Sequence, residues 1–161
     1  MDIMTQALFG KIVSGGQTGA DQGALDAALE LNHPCGGWCP KGRASEAGPI
    51  PEKYPLQEHA SEVPAARTEA NVIDSDGTLI VTHGRPEGGT ALTAECARRH
   101  GKPFFLLDLA GSPQDGEIEK IRQWGHQHQV FTLNVAGPRE SKAPGMQLAV
   151  RDIVRKLLTA L

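Results

Sequence analysis

Short apolar runs alternate with segments of helical periodicity along most of the chain, and this alternation constrains the fold more than any other feature. The apolar runs cover residues 8–13, 36–39, 78–82, 103–107 and 130–135. Helices are predicted at about 20–31, 65–73, 88–100, 113–128 and 144–161, with Ser112 as the N-cap and Pro113 as the first residue of the fourth. Strands that alternate with helices predict one parallel sheet covered by helices on both faces.

We therefore expect an α/β three-layer sandwich whose parallel sheet has five strands, or slightly more, in the order 2-1-3-4-5. The length of 161 residues is that of one ordinary domain. This predicts a single ligand-binding domain over residues 1–161. Residues 40–64 include five prolines and few apolar side chains, which indicates a long irregular loop.

Composition and charge exclude several classes of protein. The net charge is −3, which argues against a nucleic-acid-binding protein. No apolar run approaches the ~20 residues of a membrane helix, and no signal peptide is evident. Three cysteines, Cys35, Cys39 and Cys96, suggest reduced thiols in the cytoplasm. We expect a cytoplasmic protein with a small-molecule partner, and no nucleic-acid or membrane partner.

The first of three glycine-containing turns follows the first strand and opens a helix. Glycines let backbone N–H groups approach a ligand closely, and a helix N-terminus favours anions. The turn is neither a dinucleotide fingerprint nor a Walker loop. A tight strand-to-helix connection is the alternative interpretation. The candidate binding residues of this turn are Gly15, Gly16, Gln17, Thr18, Gly19 and Asp21.

The second and third turns repeat this pattern after later strands. Gly88, Gly89 and Thr90 open a helix and follow Arg85. In the third turn, an arginine can bind a phosphate through two parallel hydrogen bonds. Its candidate residues are Arg139 and Ser141, with Lys142 nearby.

Three anion-binding turns at one edge of a sheet predict a small, multiply charged ligand, because parallel strands place their carboxyl ends together. Asp21 and Asp76 are expected at or near the same edge, where a carboxylate could accept hydrogen bonds from the amine-bearing edge of a purine or pterin. Ordinary interpretations are a first-turn charge for Asp21 and a turn residue for Asp76. His33, Cys35 and Cys39 have spacing like that of metal ligands but no clear fourth ligand, so no metal site is predicted.

Four motifs in order resemble the family of molybdenum cofactor carrier proteins, over residues 9–155. They are the segments 14–24, 37–43, 75–80 and 137–142. The resemblance implies a Rossmann-like fold and a polyanionic cargo, a phosphorylated pterin with molybdenum. It also implies a homodimer or homotetramer and, as cargo acceptors, molybdoenzymes. Lys41 and Arg43 in the loop over residues 40–64 could cover such a ligand.

That family is similar to a wider group that includes the LOG-type phosphoribohydrolases, once called lysine decarboxylases. These enzymes cleave the base from a nucleoside 5′-monophosphate, with the motif Pro-Gly-Gly-x-Gly-Thr-x-x-Glu. Here the double glycine and Glu95 match, whereas the proline, the third glycine and the threonine do not. Arg67 matches the arginine of the enzymes' Arg-Lys pair, but Thr68 stands in place of the lysine.

The residues therefore favour a binding protein over an enzyme. The first expectation is a carrier of molybdenum cofactor. The alternatives are a phosphoribohydrolase, with Arg67 and Glu95 as its catalytic residues, and a nucleotide-binding sensor without catalysis. A nucleotide or molybdate alone remains open as the ligand.

Overall fold

The computed structural model describes residues 7–111 and 114–159. Five helices lie in these ranges: α1 Ala20–Glu30, α2 Pro64–Ile73, α3 Gly88–Arg99, α4 Gln114–Gln127 and α5 Met146–Thr159. The strands are β1 Lys11–Val13, β2 Cys35–Gly36, β3 Trp38–Cys39, β4 Ala44–Ser45, β5 Gly48–Pro49, β6 Gln57–Glu58, β7 Gly77–Thr82, β8 Phe104–Asp108 and β9 Thr132–Ala136. The predicted N-cap Ser112 and first-turn Pro113 lie outside the described residues.

A five-stranded parallel sheet in the order β2-β1-β9-β7-β8 forms the centre of the molecule. The predicted α/β sandwich with a five-stranded parallel sheet is confirmed. The predicted order 2-1-3-4-5 is wrong, because the last strand lies in the middle, which gives 2-1-5-3-4. The physical reason is burial: Leu133, Asn134 and Val135 of β9 are all buried, whereas β8 is partly exposed and forms the edge.

Helices cover both faces of this sheet. On one face, the small residues Ala24 and Ala28 allow α1 to pack closely against α5, whose Val150 and Leu157 are buried with Leu79 of the sheet. On the other face α2 packs against α3. Burying a valine or leucine side chain contributes about 1.5–3 kcal/mol, so these apolar faces hold the layers together. No helix in the described ranges is long and apolar enough to cross a membrane.

The segment between β2 and α2 is more ordered than the sequence predicts. The expected strand over residues 36–39 is divided at Gly37, whose φ of 127° turns β3 away into a small parallel pair with β6. β4 and β5 form an antiparallel hairpin. Ile50 and Tyr54 are buried in a satellite core with Leu25 and Cys39.

Arg43 holds this segment together. Its guanidinium donates hydrogen bonds to the backbone carbonyls of Ile50, Pro51, Tyr54 and Leu56 over 2.8–3.4 Å. The nitrogens of Arg43, which could have covered a ligand according to the resemblance, are therefore used inside the loop.

Candidate functional site

The three glycine-containing turns meet at the carboxyl edge of the sheet because β1, β9 and β7 are neighbours. The observed strand order places the third turn between the other two, closer than the predicted order would. A cavity of about 230 Å³ opens between them. The predicted residues that line it are Gly15, Gln17, Asp21, Arg67, Arg85, Gly88, Gly89, Thr90, Arg139 and Lys142.

Cationic side chains outnumber acidic ones around this cavity. Its lining includes Arg67 from α2 and Arg85 from the second turn. The third turn contributes Arg139 and Lys142. Asp21 and Glu87 are the acidic lining residues. A lining with this excess of positive charge favours an anionic ligand.

Three N–H groups of the first turn are used within the protein. Gln17 donates to the Asp21 carboxylate at 3.2 Å, and Thr18 donates to the Gln17 side-chain oxygen at 3.0 Å. Gly19 donates to the Gln147 side-chain oxygen at 3.4 Å. This turn therefore shapes one wall of the cavity, and these three amides are already hydrogen-bonded.

Gly19 also lets the first and third turns touch. Its backbone has φ of 81° and ψ of −127°, a conformation that side chains disfavour. A Cβ atom at Gly19 would lie 2.4 Å from the carbonyl oxygen of Pro138. Close approach of the two turns thus requires glycine here. Gly16, Thr18, Gly19 and Ser141 flank the cavity without lining it.

A buried ion pair lies beneath the first turn. Arg67 on α2 donates to the carbonyl oxygen of Gly15 at 2.5 Å and lies 3.8 Å from the Asp21 carboxylate. Burial raises the pKa of Asp21, and the smaller opposing effect comes first from Arg67. The pair forms a polar wall that could bind the hydrogen-bonding edge of a heterocycle.

The second turn has donors that the protein does not use. Within the described ranges, the N–H groups of Gly88 and Gly89 have no hydrogen-bond partner, as the geometry of a helix N-terminus requires. Thr82 also lines the cavity, and its hydroxyl is buried and has no partner among the described residues. Unpaired buried hydroxyls cost free energy, so a ligand that accepts a hydrogen bond would be stabilised here.

The third turn holds a carboxylate from another part of the chain. Arg139 contacts the carboxylate of Glu46 in the β4–β5 hairpin, with Nε 3.1 Å from Oε1. Ser141 donates to the same carboxylate from its N–H at 3.1 Å and from its hydroxyl at 2.5 Å. Hydrogen bonds from the Ser141 and Thr18 hydroxyls are the main causes that lower the pKa of Glu46.

Two predicted residues lie away from this site. Asp76 precedes β7, so it lies at the amino end of the strand, where it accepts hydrogen bonds from the N–H groups of Phe131 and Thr132. Its predicted place at the carboxyl edge is wrong. Glu95 lies two turns into α3, with a side chain that is 60% exposed and paired with Arg98 at 3.7 Å. It does not line the cavity.

Sequence reasoning missed Thr82, Asn134 and Glu46. Thr82 is the last residue of β7 and Asn134 the middle residue of β9, so a polar side chain within each of these buried strands was an available signal. No local signal identifies Glu46, because its partners are distant in sequence. No group of three or more His, Cys, Asp or Glu residues in the described part of the chain could hold a metal ion.

The three cysteines are free thiols. Burial raises the pKa of each of them, which disfavours the nucleophilic thiolate. Cys39 and Cys96 are buried, and Cys35 is partly buried. Their positions are typical of small packing residues.

Comparison with known proteins identifies the family. The model of the circularly permutated YpsA SLOG family matches residues 12–158. The 1.45 Å crystal structure of a "putative molybdenum carrier protein" from Syntrophus aciditrophicus SB is 45% identical, with a TM-score of 0.92 over 94% of this chain and 96% of that chain. Comparison with curated proteins gives no match.

These findings confirm the family resemblance seen in the sequence motifs. A circular permutation requires the first and last elements of a fold to lie close together. In this chain β1 and β9, the first and last strands, are paired neighbours. The chain belongs to the circularly permutated YpsA SLOG family.

Proposed function

We propose that the protein is a carrier that holds molybdenum cofactor at the carboxyl edge of its sheet. The observation that supports this most is the pair of unused donors at the cavity, the N–H groups of Gly88 and Gly89, beside the lining residue Thr82, whose buried hydroxyl has no partner among the described residues. They lie in a cavity with an excess of cationic side chains. A similar protein described as a molybdenum carrier makes a molybdenum-containing cargo the first choice among anionic ligands.

The proposed cargo fits the lining chemically. Molybdenum cofactor combines a phosphate, an oxygen-rich metal centre and a pterin ring. The α3 N-terminus, with Gly88 and Gly89, would bind an anionic group through its free amides. Arg85 and Arg139 would add charge-assisted hydrogen bonds. Asp21 would accept hydrogen bonds from the amine-bearing edge of the pterin. Gly15, Gln17 and Thr90 would shape the cavity around it.

A carrier needs no covalent chemistry, and the lining suits that role. A phosphoribohydrolase that uses Glu95 would need this carboxylate to reach the reacting atoms. Glu95 lies outside the cavity and pairs with Arg98. The geometry therefore favours the carrier over the hydrolase.

The resemblance extends the proposal beyond the cavity. We propose that the carrier is cytoplasmic, that residues 1–161 act as one domain, that it forms a homodimer or homotetramer, and that it delivers its cargo to molybdoenzymes. Size-exclusion chromatography with light scattering would test the oligomeric state, and a monomer at micromolar concentration would contradict it.

The direct test is mass spectrometry with metal analysis on the ligand released from freshly purified native protein. We expect a phosphorylated pterin together with molybdenum. A nucleotide without metal would replace this proposal with a nucleotide sensor. Release of neither ligand, even after loading with the cofactor, would overturn it.

Paired variants test the residues. The double variant R85A/R139A should retain less pterin and molybdenum than the wild type, because it removes two cationic groups from the cavity wall. R98A is the matched control, since Arg98 is an exposed arginine that does not line the cavity. Equal retention by wild type and double variant would contradict the proposed site.

A further inference from the structure

The carboxylate of Glu46 is bound by donors from two of the three turns. The Thr18 hydroxyl donates to its Oε2 at 2.5 Å from the first turn. The N–H and hydroxyl of Ser141 donate from the third turn, and Arg139 Nε lies 3.1 Å away. Two hydroxyls, one amide and one guanidinium thus converge on one carboxylate.

This donor set is the kind that binds oxyanions in general. Phosphate and carboxylate groups accept hydrogen bonds from amides, hydroxyls and arginine in the same way. The lowered pKa of Glu46 means that its side chain is ionised at neutral pH. The protein therefore places its own anion in a site whose chemistry suits an anionic group of a ligand.

The Glu46 site and the cavity share residues. Arg139 contacts Glu46 and also lines the cavity. Gln17, another lining residue, accepts a hydrogen bond at 3.0 Å from the backbone N–H of Glu46. A ligand in the cavity and Glu46 consequently compete for the same guanidinium.

The contacts of Glu46 are at the surface, so they can exchange. Its side chain is 23% exposed, and that of Arg139 is 46% exposed. Ion pairs that water can reach contribute little to stability. Glu46 lies on the β4–β5 hairpin, within a two-residue turn between Ser45 and Gly48. Neither strand of this short hairpin is paired with the central sheet, so its displacement would break none of the hydrogen bonds of that sheet.

We propose that Glu46 occupies an oxyanion subsite beside the cavity and that a phosphate-class group of the ligand displaces it. The inference rests on the proposed function, since it describes how the same edge takes its anionic ligand. Binding then releases the β4–β5 hairpin from the first and third turns. The apparent affinity is reduced by the fraction of molecules in which Glu46 already fills the subsite.

Isothermal titration calorimetry with inorganic phosphate tests this competition. The variants are E46Q, which removes the charge and keeps the shape, and E46A, which removes the carboxyl group. E52Q is the matched control, because Glu52 is an exposed glutamate of the same loop with no hydrogen bond or ion pair to either turn in the described part of the chain. We expect E46Q and E46A to bind phosphate at least about threefold more tightly than the wild type, and E52Q to bind like the wild type.

Hydrogen exchange of the wild type gives a second measurement that needs no variant. Saturating phosphate should speed amide exchange in residues 44–49, because the hairpin loses its contacts with Gln17, Thr18 and Ser141. Unchanged exchange at saturation would overturn displacement of Glu46. Thermal unfolding of E46Q and E46A shows whether the variants are folded.

The remaining outcomes separate this inference from the proposed function. Equal or weaker phosphate binding by E46Q and E46A would overturn the competition and make Glu46 a residue that positions the two turns. Absence of saturable phosphate binding in these variants would overturn the subsite. Neither result changes the pterin and molybdenum content by which the carrier function is judged.

Discussion

Arg67 Nη1 lies 3.8 Å from Asp21 Oδ2, and both side chains are only 11% exposed. The same nitrogen donates to the carbonyl oxygen of Gly15, so one guanidinium joins α2 to the first turn and to α1. A buried pair of this kind is costly to break, because removal of one partner leaves the other charge without compensation. It fixes the wall of the cavity that would meet the ligand's heterocycle.

Asparagine at position 21 should change how stability depends on pH. Burial raises the pKa of Asp21, so the folded state binds this proton more tightly than the unfolded chain. The stability that this contributes is present at low pH and is lost as pH rises through the folded pKa. We therefore expect the difference in unfolding free energy, D21N minus wild type, to increase from about pH 4 upward. Urea denaturation at fixed ionic strength measures this difference at each pH.

The size of that increase is about 1.4 kcal/mol for each pKa unit by which Asp21 is raised. D152N provides the control, since Asp152 is an exposed carboxylate on α5. A difference between D21N and wild type that decreases with pH would show that attraction to Arg67 outweighs burial.

Alanine should destabilise the protein at Gly19 and leave its stability nearly unchanged at Gly89. G19A forces a Cβ within 2.4 Å of a backbone oxygen and strains a backbone conformation that glycine favours. We expect a loss of about 3 kcal/mol of unfolding free energy, or roughly 10 °C in Tm. G89A has open space around its Cβ, so its stability should stay within about 0.5 kcal/mol of wild type.

G89A should nevertheless hold less cofactor. Gly89 lines the cavity, and a methyl group there crowds the free amides at the start of α3. Loss of about 1 kcal/mol of binding free energy lowers affinity roughly fivefold. Metal analysis of the purified variant measures this, and wild-type molybdenum content in G89A would contradict an anion site at that helix N-terminus.

The T82V variant distinguishes an effect on protein stability from an effect on ligand affinity. The Thr82 hydroxyl has no partner within the described ranges, so T82V should be as stable as wild type or about 1 kcal/mol more stable. Ligand affinity should fall roughly fivefold if that hydroxyl contacts the ligand. Thr78 is the control, because its hydroxyl already accepts a hydrogen bond from Asn134 at 3.3 Å.

We expect T78V to lose about 1 kcal/mol of unfolding free energy, with a smaller change in ligand affinity. Thermal unfolding and calorimetric titration of both variants check the comparison. A large loss of stability in T82V, with affinity unchanged, would mean that the hydroxyl serves the fold and not the ligand.

E95Q tests the hydrolase alternative. Glu95 is exposed and pairs with Arg98 outside the cavity. We expect wild type and E95Q to release free base from a nucleoside 5′-monophosphate at the same background rate, as measured by chromatography. Release by the wild type that disappears in E95Q would establish the enzyme and set aside the carrier.

Local sequence patterns predicted the elements and the turns well, because apolar periodicity and glycine placement act over a few residues. The turn with Gly88 and the turn with Arg139 were located from such signals, and both line the cavity. Strand order was not predictable in this way. It depends on which strand is buried on both faces, and the wholly buried Leu133 of β9 becomes evident only in the packed sheet.

The errors at the candidate site have a similar origin. Asp76 has a carboxylate of the kind that binds ligands, but its position before β7 places it at the opposite end of the sheet. Glu46 looks like a solvated loop residue until Arg139 and Ser141 are brought to it across a long stretch of chain. Both errors arise because the position of a residue in the folded chain cannot be predicted from its residue type.

The central position of β9 determines when the sheet can form during synthesis. The ribosome makes β9 after the other four strands of the central sheet, yet β9 fills the space between β1 and β7. Without β9, the central sheet is divided into two separate strand pairs, β2–β1 and β7–β8, whose edges towards β9 are open. Pairings between distant segments form slowly, and open strand edges favour aggregation. The three turns can therefore meet only after β9 has been made, and a chain truncated before β9 would lack the strand that brings them together.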